Sequence, residues 1–269
     1  MATDDEYLPS KVLRHGTYVC LKFSPGTDPA VLARAEIPAL AKHLHLENEF
    51  AGPPPNESIA FLRRHAATLG AIPDEGVSQA DCVIHVAARS PRTIRSFCLG
   101  ARRLLQPFAD FRILEGVVRP RTYSGAAMEH WAYARAVAQL HGSVMPNAFL
   151  IPMSKTSDWW TKDWLERSTY FLPRYDTKGR MVAEGHALAG EAGILCIMRR
   201  TYQALRQPAP IGSYDFLAYF ECADIDTPVF EKICANLRDV RRNPEWEFVR
   251  EGPTWHGRRV ATWPELFEM

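Results

Sequence analysis

Apolar residues alternate with others from Gly16 to Phe23, "GTYVCLKF", which predicts a β-strand. Behind it, Asp28 to Leu46 carries apolar residues at helical spacing with Pro29 near the first turn, and predicts a helix. "AGPPPNES", Ala51 to Ser58, predicts a proline-rich surface loop. A second strand is expected over Ala80 to Ala88. "SPRT" then opens an amphipathic helix running to about Phe108, and a further strand, about Phe111 to Tyr123, closes this half.

The alternation resumes at Asn147 to Met153. An irregular, aromatic-rich stretch follows from Trp159 to Tyr175, then a short helix around Arg180 to Ala189. Strands are expected at Ile194 to Tyr202, Tyr214 to Glu221 and Glu245 to Arg250, with a helix at Thr227 to Val240. This βαββαβ order is the ferredoxin-like unit, and the hairpin-spaced strands argue against a doubly wound sheet. The expected fold is therefore α+β: two such units, residues 1–140 and 141–269, joined near Glu129 to Pro146 and facing each other as a dimeric α+β barrel.

A chain of 269 residues can bury roughly three quarters of its unfolded surface, so a large core is available. With 32 basic and 31 acidic side chains, no global field draws it to nucleic acid or an anionic membrane. A charged ligand must be held locally. The six cysteines lie far apart, without a CxxC pair, and mostly within apolar runs, which predicts reduced, buried thiols. "MATDDEYLPSK" lacks the layout of a secretory signal, and no stretch approaches the roughly 18 apolar residues of a membrane span. The expected location is cytoplasmic.

There is no GxGxxG, GxxxxGK, GxSxG or HExxH, which removes the common nucleotide, serine-hydrolase and zinc-protease readings. What remains are polar residues set in apolar surroundings. His186, in "RMVAEGHALAGEAG", sits among small residues that let something flat approach closely. Arg199 ends an aliphatic stripe with Leu195 and Ile197, while Arg200 points to the other face of the strand. A buried guanidinium there pairs with a carboxylate or waits for an anion. Glu245, beside Trp246, can accept from the second nitrogen of a histidine. Each residue taken alone also has an ordinary structural reading. The adjacent indoles Trp159 and Trp160 pose a separate question, because neighbours cannot share one face of a strand or helix.

The order of these residues is more specific than any one of them. "P-x-x-K-x-x-x-WW" from Pro152 to Trp160, then His186, then an arginine thirteen residues on, then "YDFLAYFE" and Glu245, resembles the chlorite dismutase family. The resemblance covers about Asn147 to Val260 and extends more weakly through "QADCVIHVAARSPRTIRSF" and "RPRTYSG". It implies haem b as cofactor, His186 as iron ligand and Glu245 as its hydrogen-bond partner. It further implies Lys155 on a haem propionate, Trp159 and Trp160 at the porphyrin edge, and Arg199 as the distal catalytic residue. The implied activity is decomposition of chlorite to chloride and O2 by a homopentamer. A peroxidase or tailoring enzyme acting on an organic substrate is an alternative, as is a haem-binding protein without turnover. The chain departs from the pattern in the longer segment "TKDWLERSTYFLPRY" and in the extra spacing before Glu245. Coproheme decarboxylases, which are related, carry a catalytic tyrosine just before the "PM-x-K" proline; here that residue is Ile151.

Overall fold

The computed structural model describes residues 14–49, 57–119 and 145–268. Its first half contributes strands β1 (Arg14–Phe23), β2 (Glu47–Asn48), β3 (Ser58–Thr68), β4 (Cys82–Ala88) and β5 (Ala109–Val118). The second contributes β6 (Asn147–Lys155), β7 (Arg174–Tyr175), β8 (Met181–Ala183), β9 (Ile197–Gln203), β10 (Phe216–Cys222), β11 (Val249–Glu251) and β12 (Thr254–Val260). The long strands run in the order β10-β9-β5-β1-β4-β3-β12-β6, and β6 pairs back onto β10, so the sheet closes into a barrel. Each half keeps the strand order of a ferredoxin-like unit, β5-β1-β4-β3 and β9-β10-β6-β12.

Closure explains why the strands are apolar on both faces. In β1, Tyr18 and Cys20 point into the barrel, while Val19 and Leu21 point out beneath helices. The helices over the first half are α1 (Pro29–Ala33), α2 (Ile37–His43) and α4 (Pro91–Leu105), with the short α3 (Glu75–Ser78) at the barrel end. Ser90 caps α4 through the Arg92 amide, Pro91 occupies its first turn, and Ile94, Phe97, Ala101 and Leu105 form its buried stripe. In the second half, α5 (Ser157–Thr161), α6 (Trp164–Thr169) and α7 (Gly185–Ala189) precede β9. The long α8 (Thr227–Arg238) lies across the outer face of β6, β9 and β10, on Phe149, Ile151, Ile197 and Phe220.

Several sequence expectations shift. The helix expected over Asp28 to Leu46 is two short ones, because Pro38 cannot donate into a preceding turn and instead starts α2. Ser58, expected in the loop, is the fully buried first residue of β3, a strand the pattern did not reveal. The helix expected from Arg180 begins only at Gly185, whose φ of +68° breaks it from β8. Glu245 lies on a 3₁₀ turn, Pro244–Phe248, and not on a strand, since Pro244 favours a turn there. The closing barrel strand is β12, which the sequence reading left out. The 140/141 boundary, the junction near Glu129 to Pro146 up to residue 144, and residues 120–123 lie outside the described residues.

Candidate functional site

β6 alternates outward at Phe149 and Ile151 and ends at Lys155, whose amide donates to Asp215 Oδ2 at 2.7 Å. The Lys155 ammonium turns to Glu245 Oε1, 2.5 Å away, with both side chains almost wholly buried. Glu245 Oε2 lies 2.6 Å from His186 Nδ1, and His186 Nε2 lies 3.2 Å from Arg199 Nη1. Four elements, a strand end, a 3₁₀ turn, α7 and β9, thus meet in one chain of contacts, Lys155–Glu245–His186–Arg199.

The protons follow by elimination. Burial raises the Glu245 carboxyl, but Lys155 and His186 outweigh it and hold the group well below the carboxylate range. An ionised carboxylate only accepts, so Nδ1 of His186 carries the proton. Nε2 therefore keeps its lone pair, and the guanidinium, which only donates, points at it. The result is a neutral imidazole with a fixed tautomer, oriented by the carboxylate behind it.

The backbone around His186 is tied on two sides. The Glu184 and Gly185 amides donate to the Arg242 carbonyl, and the Arg242 side chain donates back to Glu184 at 2.6 and 2.9 Å. The His186 and Ala187 amides donate to the Tyr170 and Phe171 carbonyls. The longer segment noted in the sequence thus supplies the platform on which α7 rests.

The two indoles divide their tasks. Trp159 is fully buried with Phe171 and Phe216, its ring 4.2 Å from the Lys155 ammonium. Trp160 sits at the edge of this cluster, parallel to Phe216 at 6.4 Å, with the Arg167 guanidinium 5.1 Å from its ring centre. Its Nε1 is buried and has no hydrogen-bond partner among the described residues. Helical geometry in α5 lets both neighbours reach one cluster from successive angles.

Sequence reasoning missed Arg167 and Asp215. Arg167 is buried, and its guanidinium donates to the carbonyls of Trp159 and Trp160, closing the end of α5. The signal was present in Asp163, which caps α6 and starts the turn that carries Arg167 inward. Asp215 also receives the Ala209 amide at 2.6 Å, so it links β6 to the loop before β10.

On the inner face of β9, Arg200 meets Glu49 at 3.1 Å, and Tyr202 donates to His85 at 3.2 Å. The His85 Nδ1–H goes to the Thr17 carbonyl, and burial pushes the ring down to about 3, so it is neutral. Burial raises Glu49, yet Arg200 and its neighbours bring it down to about 2. These groups fill the barrel interior and stand across the sheet from His186.

Among the described residues no group of three or more His, Cys, Asp or Glu side chains is placed to hold a metal ion. None of their helices is long and apolar enough to cross a membrane. The six cysteines are free, five of them buried.

The molecule is a dimeric α+β barrel folded from one chain, with its polar chain of contacts on the outer face of the second unit. No family model and no curated protein matches the sequence. Solved structures do match. A tryptophan-to-phenylalanine mutant of chlorite dismutase from Candidatus Nitrospira defluvii, in complex with cyanide, is 20% identical with a TM-score of 0.66, over 100% of this chain and 98% of that one. The same enzyme in complex with imidazole is 18% identical, TM-score 0.66, over 98% of each chain. Its arginine-to-lysine mutant has the same identity, TM-score and coverage. The chain has the chlorite dismutase fold along nearly its whole length.

Proposed function

We propose that this chain is a haem b-dependent oxidoreductase of the chlorite dismutase type, converting chlorite to chloride and O2. The observation that carries the reading is the fixed tautomer of His186, with its proton on the Glu245 side and its free lone pair facing a guanidinium. A haem site needs such a neutral imidazole. The buried, unpartnered Nε1 of Trp160 is a second fit, since it offers a donor to a propionate. Lys155, expected on a propionate, donates to Glu245 in this structure, and that contact helps keep the carboxylate ionised.

When bound, the haem supplies the redox chemistry of oxygen transfer. The chain's own residues bind and orient. His186 Nε2 would hold the iron, and Glu245 would keep the Nδ1 proton in place. One lone pair serves one partner, so Arg199, which donates to Nε2 in this structure, would give up that contact where the iron is held. Its guanidinium, permanently cationic, would offer paired N–H donors as a clamp to bind and orient the chlorite anion. Phe149, Ile151 and Phe220 line the sheet beneath and exclude water.

Spectra and an oxygen electrode test this. Haem added to the purified protein should give a histidine-ligated spectrum, and chlorite should then evolve O2. His186→Ala should lose stable haem binding, whereas Arg199→Ala should keep the haem and lower chlorite turnover about 10-fold or more, as for loss of a charged transition-state contact. No oxygen from the loaded protein would exclude the chlorite reading, and unchanged kinetics in Arg199→Ala would exclude the clamp.

One observation favours an organic substrate as the second reading. The segment around α6 exposes Trp164, Leu165 and Leu172, each more than half accessible, and a small inorganic anion has no use for such a surface. Peroxide-dependent dye oxidation without oxygen evolution would select it. Haem binding with neither activity would indicate a carrier.

A further inference from the structure

The barrel is closed unevenly. β1 and β5 pair along their full length, from Arg14 with Val118 to Phe23 with Ala109. The neighbouring seam between β5 and β9 is held by one register pair, Val117 with Gln203. Beyond it the strands part, and a cleft of about 720 Å³ opens between β5, α4 and the loop after β9. Ile94, Leu99, Ile113, Val117, Leu205 and Leu217 supply apolar walls. Leu99 and Leu205 are 55% and 62% accessible, unusual for leucines turned to a hollow that none of the described residues fills.

The charge in this cleft is one-sided. Arg95, Arg102 and Arg206 all line it, against Glu115 as its one acidic side chain. Among the described residues, Arg95 and Arg206 make no hydrogen bond or ion pair, and Arg102 touches only the Phe111 ring, at 5.7 Å. Arg112, by contrast, is already committed to Asp74 and the Gly212 carbonyl. Three exposed guanidiniums around one apolar hollow, paired with no carboxylate among the described residues, set a positive rim that an anion can join. A hollow of this volume suits a ligand of drug-like size, with an apolar body and few polar anchors.

We propose that the β5–β9 cleft binds a mid-sized organic anion, its apolar body in the parted seam and its carboxylate or sulfonate head against Arg95, Arg102 and Arg206. The cleft lies on elements separate from His186, so this proposal stands whether or not the haem reading does.

The probe is 8-anilinonaphthalene-1-sulfonate, titrated by calorimetry and fluorescence into the full chain. One equivalent should bind, more weakly as salt rises, because exposed ion pairs are screened. Reversing two charges, Arg95→Glu with Arg206→Glu, should weaken binding about 10-fold or more, whereas the paired lysine variants should retain most of the affinity. Ile113→Trp should weaken it with every arginine intact, by filling the floor. The neutral analogue N-phenyl-1-naphthylamine should bind about 10-fold less tightly. Circular dichroism and thermal midpoints establish that each variant is folded. Affinity unchanged by the charge reversal, or equal affinity for the neutral analogue, would overturn the proposal. So would loss of probe binding in His186→Ala or on haem addition, which would place the probe in the other site. Binding seen only in dissociated protein would give the cleft to an interface between copies instead.

Discussion

At the scale of single residues, Glu245 is the pivot, because its two oxygens accept from the Lys155 ammonium and from the neutral His186 Nδ1–H, on two other segments. Glu245→Gln leaves Lys155 buried beside a neutral amide. Removing one member of a buried ion pair costs about 3–5 kcal/mol. The pH dependence has a definite sign. The carboxyl is held below its unfolded value of about 4.3, so its contribution is complete above that value and lost as pH falls further. Urea denaturation should therefore separate wild type from Glu245→Gln widely at pH 7, and the gap should narrow at about pH 3.5. A gap that stays constant would mean that the carboxylate's charge is not what stabilises the wild type. Much of this constellation was legible from residue order alone: Arg199 and Arg200 do face opposite sides of β9, and His186 does meet Glu245. The partner of Lys155 was not legible. A lysine four residues before a tryptophan pair gives no sign that a carboxylate ninety positions later will fold back onto it.

At the scale of elements, regular alternation was a good guide and local breaks were not. β1, β4, β10 and α8 lie close to where the pattern puts them, because each presents a stripe to a covered face. β3 escaped because "SIAFLRRHAAT" turns polar halfway, its second part passing to the solvent-exposed end of the barrel. α7 was drawn too long because a run of small residues looks helical until φ is considered. Gly185 sits at φ +68°, and a Cβ there would stand 2.5 Å from the Leu172 carbonyl oxygen. Gly185→Ala should cost about 1–3 kcal/mol from backbone conformation alone, and more from the clash. It should also move His186, read as a lower thermal midpoint together with weakened haem uptake. A full-strength haem spectrum in a destabilised variant would separate the turn from the site.

At the scale of the whole molecule, two ferredoxin-like units share one closed sheet, so among the described residues most of the long strands have both edges paired. Exposed apolar surface outside the β5–β9 cleft lies in the region of α6 and on Ile211 and Ile225. Such surface commonly marks contact between copies. Light scattering at micromolar concentration should give a homo-oligomer, and by family resemblance a pentamer; a monomer would count against that assembly.

β9 carries its two arginines back to back, and this ties the fate of the second unit to inheritance in the first. Arg199 reaches outward to His186, while Arg200, one residue on, is anchored behind the sheet by Glu49, whose own amide is held by the Ile59 carbonyl. A lineage that altered Glu49 would touch nothing in the site, yet it would loosen the strand that aims the clamp. Drift in one half of the gene would then be paid in the kinetics of the other. Glu49→Gln should raise the chlorite KM while leaving the histidine-ligated spectrum as it was, and the second half should tolerate such change only when the first half changes with it.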